Sequence, residues 1–244
     1  MSDQPFGTLK NVRGERLDYA CEGGAAPGDG LLVVIAHGVT ANKDRDWART
    51  LAAELAGAGF ASLRFSFSGN GESEGDFRES TISKEVQDLG AVLDAVGRRP
   101  LGVIGHSMGG AVGVLRAADD PRVSLLVSLA GMVHTWDFYR RKFGELTPGQ
   151  DVMWDKPECP LSQAFKDDLE RIDSVLPRAK DVGVPWFLVH GTEDTVVPCA
   201  ESREAAAAGP HTQLLEVPGA DHLFSGDNER VMAQAVVRWF QSQA

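Results

Sequence analysis

Six apolar runs punctuate the chain: Leu31–Ala36, Ala61–Phe67, Leu101–Ile104, Leu125–Leu129, Trp186–Val189 and Leu214–Val217. In the first, Leu31-Leu32-Val33-Val34-Ile35-Ala36, apolar residues follow one another without alternating with polar ones. A strand covered on one face alternates and a strand covered on both does not, so such runs predict a parallel sheet buried on both sides. Ahead of them, Thr8–Val12 and Leu17–Cys21 predict two short antiparallel strands.

Between the runs the apolar period becomes helical. Trp47, Leu51 and Leu55 recur every four residues, and Ile82, Val86, Leu89, Leu93 and Val96 follow one helix face. Near the C-terminus Val231, Ala235 and Trp239 form one row, with Met232, Val236 and Phe240 beside it. Strand–helix alternation with short links predicts the α/β class, a doubly wound and mostly parallel sheet covered on both faces. A chain of 244 residues suits one such domain, residues 1–244.

The rhythm stops between about Met132 and Val184. This stretch has no clear strand, is divided by Pro148, Pro157 and Pro160, and carries Trp136, Phe138, Tyr139, Phe143, Trp154 and Phe165. A long insertion between strands is read as a cap over a site, its aromatics also supplying a core of their own.

Composition narrows the partners. With 43% hydrophobic and 24% charged residues, the chain matches ordinary globular proteins. Its 35 acidic against 24 basic side chains, a formal charge of −11, argue against nucleic acid or an anionic membrane surface as partner. Met1–Pro5 lacks the basic-then-apolar pattern of a signal peptide, and no apolar run approaches a bilayer span. Cys21, Cys159 and Cys199 are scattered, which suggests neither a disulfide framework nor a zinc site; a cytoplasmic location is expected. Gly69-Asn70-Gly71 lacks the spacing of a phosphate-binding loop, and no metal or organic cofactor is expected.

The candidate chemistry begins at Gly105-His106-Ser107-Met108-Gly109-Gly110, which follows an apolar run and opens a helical segment. This fits a nucleophile elbow, a strand-to-helix turn that raises a serine hydroxyl above the sheet, with glycines where side chains would clash. A serine needs a base, and the base an orienting acid. Asp194 follows the run Trp186–Val189, and His222 follows Leu214–Val217, both at strand ends where an open α/β sheet builds its site. The order Ser107, Asp194, His222 is the one this arrangement requires. Glu193 is the first substitute for Asp194 and Asp137 the second. His190 and His106 are read as packed or locally bonded, His37 as a brace beneath the site, and His134 and His211 as lacking context. Oxyanion donors are assigned to the amides of Met108 and Val39, the latter from the loop after Leu31–Ala36.

Ile35-Ala36-His37-Gly38, the block Arg64–Gly75, Gly105–Gly110, His190–Pro198 and Gly219–His222 together resemble successive motifs of the α/β-hydrolase superfamily. The chain is most similar to its feruloyl/cinnamoyl esterase and serine-aminopeptidase-like branch. That branch commonly has an aromatic residue where Val39 stands, an aspartate near Ser66 and a histidine near Asn70. The resemblance implies a triad of Ser107, Asp194 and His222, oxyanion donors at Val39 and Met108, and a cap drawn from the insertion.

The resulting expectation is a serine hydrolase acting on a small-molecule ester, its rate rising as His222 loses its proton. Thioester hydrolysis, peptide or amide hydrolysis and acyl transfer share the same acyl-enzyme and stay open. A non-catalytic protein holding a small ligand is the alternative of another class. The sequence leaves the oligomeric state open, a homodimer included.

Overall fold

A computed structural model describes residues 4–25, 28, 30–97 and 99–243. Met1, Ser2 and Asp3, on which the signal-peptide reading partly rests, lie outside the described residues.

Short strands β1 (Leu9–Lys10) and β2 (Arg16–Leu17) pair antiparallel, and β3 (Tyr19–Glu22) lies at one edge of the main sheet. There follow β4 (Leu32–Ala36), α1 (Asp46–Gly57), β5 (Ala61–Phe65), α2 (Ile82–Ala95), β6 (Leu101–His106), α3 (Met108–Asp119) and β7 (Val123–Leu129). After the insertion come β8 (Trp186–Gly191), α7 (Cys199–Ala208), β9 (Thr212–Val217) and α8 (Asp227–Ser242). The insertion itself holds α4 (Thr135–Phe143), α5 (Gln163–Ile172) and α6 (Leu176–Ala179). Seven strands form the sheet in the order β3-β5-β4-β6-β7-β8-β9, parallel except for β3 against β5.

The two faces can be read from single strands. In β4, Leu32, Val34 and Ala36 point to the α2–α3 side, while Val33 and Ile35 meet α1 and α8. Every residue of β4, β6 and β8 is buried, as continuous apolar runs require. The edge strand β9 is only partly covered.

Several expectations are corrected. Leu17–Cys21 is not one strand. Leu17 pairs back on Leu9, whereas Tyr19–Glu22 crosses to pair with Ser62–Phe65. Asp18 makes that change of sheet possible, its carbonyl accepting from Ser66 N–H and its N–H donating to Ser73 Oγ. Val231 is 46% exposed, so α8 buries its Met232-Val236-Phe240 row and only part of the other.

In the insertion, Phe138, Tyr139, Phe143 and Phe165 are buried and pack in one apolar cluster with the α2–α3 face of the sheet. They extend the main core rather than forming a separate one. Helix α4 packs on α5, α5 on α2, and α6 on both α3 and α7. Only the turn Met153–Lys156, secured by the bridge between Val152 and Pro160, reaches the cavity described below.

Candidate active site

The strand β6 and the helix α3 are joined by one residue, Ser107, whose backbone sits at φ 55° and ψ −119°. Such a conformation costs a non-glycine residue about 1–3 kcal/mol and persists only where the surroundings enforce it. Here Ser107 N–H donates to the Leu129 carbonyl at 3.0 Å, and its own carbonyl accepts from Gly110 and Met132 N–H, both at 2.9 Å. Two glycines make the turn sterically possible. A Cβ on Gly105 would stand 2.0 Å from the Gly109 carbonyl oxygen, and one on Gly109 would stand 2.4 Å from that of His37.

Asp194 and His222 arrive from the ends of β8 and β9. His222 Nδ1 donates to Asp194 Oδ2 at 2.7 Å, while Asp194 Oδ1 accepts the Val196 and Val197 amides at 2.7 and 2.9 Å. The Asp194 side chain is wholly buried. Burial alone would raise its pKa, but hydrogen bonds from His190, His222 and Val197, with the charge of His222, hold it well below the usual carboxylate range. Asp194 is thus an anion whose shortest imidazole contact is with His222 Nδ1. Ser107 and His222 line the same cavity, and among the described residues no hydrogen bond joins Ser107 Oγ to His222. Such bonds often tighten only when substrate binds.

Three further histidines brace this centre. His190 Nε2 lies 3.1 Å from Asp194 Oδ2 and 2.9 Å from the Val197 carbonyl. Both are acceptors, so Nε2 carries the proton, and Asp194 Oδ2 receives two imidazole donors. His190 Nδ1 meets Ser202 Oγ at 2.7 Å. His106 donates from Nε2 to the His222 carbonyl at 2.9 Å and packs between the rings of Trp47 and His222. Burial, then the charge of His222, push His106 down to about 3, so it stays neutral. His37 Nε2 accepts Phe67 N–H at 3.0 Å, which leaves Nδ1 to donate to the Gly38 carbonyl at 2.8 Å. Burial lowers it to about 4. His37 therefore fixes the loop that carries Val39.

The Val39 and Met108 amides spend no hydrogen bond on another protein group among the described residues. Met108 opens α3, where the first N–H groups lack intrahelical acceptors and the helix dipole favours negative charge.

A cavity of about 390 Å³ lies over Ser107, walled by Val39, Trp47, Trp154, Val196 and Leu223 among others. Of the insertion aromatics, Trp154 alone lines it. Ser66 and Asn70 do not: Ser66 accepts Lys43 N–H and Asn70 donates to Ser80, inside a buried network behind the His37 loop. Glu193 is exposed, and Asp137 lies on α4 paired with Arg140, so neither substitutes for Asp194. His134 meets Glu204 on the surface. Among the described residues no group of three or more His, Cys, Asp and Glu is placed to hold a metal ion, and no helix is long and apolar enough to cross a membrane.

The profile of the alpha/beta hydrolase family matches residues 33–235. The chain belongs to the α/β-hydrolase family. Relatives from this family include human ABHD10, a mitochondrial palmitoyl-protein thioesterase, 29% identical over 164 residues that cover 61% of this chain and 52% of that protein. The chain thus spans about half the length of the curated relatives it matches first. Among solved structures, Est1E from Butyrivibrio proteoclasticus, with ferulic acid bound, superposes with a TM-score of 0.85 at 22% identity, covering 97% of this chain and 98% of that one. Mouse ABHD10 gives 0.79 at 20% identity, over 98% and 99%. Family and relatives support hydrolase chemistry.

Proposed function

We propose that the protein is a serine hydrolase that cleaves small carboxylic esters through an acyl-enzyme on Ser107. The observation that carries this reading is the 2.7 Å bond from His222 to the buried, anionic Asp194, beside an elbow serine on the same apolar-walled cavity.

His222 Nε2 takes the proton of Ser107 as Oγ bonds to the ester carbonyl carbon. The carbonyl π electrons move to oxygen, and the Val39 and Met108 amides donate to that oxyanion. Collapse breaks the bond to the alcohol, which leaves with the proton from His222. Water then attacks the acyl-enzyme with His222 again as base, and the acid departs as Ser107 regains its proton. Asp194 keeps Nδ1 protonated and offsets the imidazolium charge throughout. No cofactor enters these steps. Residues 132–184 act as a cap whose contribution to the cavity is the turn bearing Trp154.

Thioester hydrolysis is the second reading, favoured by relatives named as palmitoyl-protein thioesterases. A panel of short 4-nitrophenyl esters, acyl thioesters and aminoacyl anilides, with fluorophosphonate labelling, tests both. Turnover of esters and labelling lost in Ser107→Ala are expected. Labelling that survives in Ser107→Ala overturns the nucleophile, fastest cleavage of anilides overturns the ester reading, and an unlabelled native protein favours a ligand-binding role.

A further inference from the structure

Cations in this protein are mostly paired. Arg13, Arg64, Lys84, Arg122, Arg178 and Arg203 each meet a carboxylate, as a chain with an excess of 11 acidic charges readily allows. Arg45 and Lys156 are different. Both line the Ser107 cavity, and among the described residues neither lies within ion-pair distance of a carboxylate. They come from separate parts of the chain: Arg45 precedes α1, and Lys156 ends the turn carrying Trp154.

Each head group is available to a ligand. The one side-chain hydrogen bond of Arg45 among the described residues is a long one, from Nη2 to the Thr40 carbonyl at 3.2 Å, which leaves most of its five donors unspent. Both side chains are half-buried, where a charge is screened less than on an open surface. The positive charge of Arg45 reaches the centre, where it further disfavours protonation of His37 and His106. The cavity also contains Asp221, but that carboxylate is satisfied by the Leu223 and Ser225 amides and Ser225 Oγ. An unpaired guanidinium and an unpaired ammonium, on mostly apolar walls, match a substrate that joins an apolar body to an anionic group.

We propose that Arg45 and Lys156 select esters carrying a carboxylate or phosphate a few bonds from the scissile carbonyl, over neutral esters of the same length. This rests on Ser107 as nucleophile. It names the substrate class that the apolar walls alone do not.

The test compares kcat/KM for mono(4-nitrophenyl) adipate with 4-nitrophenyl hexanoate, which puts the anion on the acyl side. A second pair, 4-carboxyphenyl and 4-carbamoylphenyl hexanoate, puts it on the leaving side. One anionic ester is expected to exceed its neutral partner by roughly tenfold, and the ratio to fall toward one in Arg45→Gln, in Lys156→Gln and in added salt. Because the readout is a ratio, a general loss of activity in a variant cancels. Binding of the adipate ester and the hexanoate to Ser107→Ala, followed by tryptophan fluorescence, reads the same preference without turnover. Equal or weaker use of both anionic esters, or a preference that survives the double substitution Arg45→Gln with Lys156→Gln, overturns the inference. Failure of every ester in the native protein overturns the ester reading instead, and the fluorescence ratio then decides the anion preference by itself.

Discussion

Two parts of the cavity wall are built in opposite ways. The loops after β6, β8 and β9 start at the C-terminal ends of sheet strands, and the polar groups that hold the centre in place have fixed partners. Asp194 accepts from two imidazoles and two amides, and Ser107 is tied by three backbone bonds. The turn Met153–Lys156 instead hangs from the insertion. Trp154 is 39% exposed, and Trp154 and Asp155 both have positive φ, at 49° and 56°. Under the proposed function, groups that must meet within tenths of an ångström are held at strand ends, while Trp154 and Lys156, which face the substrate, sit on a turn of the insertion.

Substitutions can break this contrast. Asp194→Asn keeps the shape but removes the charge that orients and offsets the imidazolium, and a loss in kcat of roughly 10⁴-fold is expected by steady-state assay. A loss under tenfold would detach Asp194 from the chemistry. Gly105→Ala places a methyl 2.0 Å from backbone that cannot retreat, so urea unfolding should report a loss of about 3 kcal/mol or more. A neutral result would mean that the elbow is not rigid.

The next effect comes from pH. His37 and His106 have folded pKa values of about 4 and about 3, below the ordinary imidazole value of about 6.5. As pH falls below about 6.5 the unfolded chain gains protons that the folded one refuses, so the stability present above that pH is lost on the way to about 4. Each histidine contributes about 3 kcal/mol or more to that loss. Glu85, buried and raised well above its usual range, gives the opposite slope, losing stability as pH rises. Urea midpoints measured from pH 7 to 4 should fall, and the slope should flatten in His106→Gln.

Smaller effects separate support from contact. His190→Leu deprives Asp194 of one donor, and kcat should drop about tenfold to hundredfold with KM little changed, partly restored by Gln, whose amide can donate. Trp154→Ala should leave kcat nearly intact and raise KM a few-fold for bulky acyl groups. An equal fall in kcat would draw the turn into the rigid part of the site.

The strand rhythm and the elbow were legible because they are local. Continuous apolar runs mark β4 and β6, and Gly105, Ser107 and Gly109 mark a turn whose pattern lies within five residues, with Gly105 packed against the Gly109 carbonyl. The roles of the supporting histidines were only partly legible. His190 ends a fully apolar run, and a polar ring in such a place must find partners, which is the signal that could have exposed it. Arg45 and Lys156 left no such trace. Nothing near either in sequence says that they share a cavity or that their carboxylate partners are absent among the described residues.

By itself, then, the sequence determined the sheet, the family and the order of Ser107, Asp194 and His222, since these follow from short-range pattern and from loops at successive strand ends. The tertiary structure alone decided that two imidazoles share Asp194, that the insertion joins the main core and lends the cavity one turn, and that two unpaired cations stand within it. Those facts depend on which distant segments come within a few ångströms of each other, and hydrophobic periodicity does not encode that.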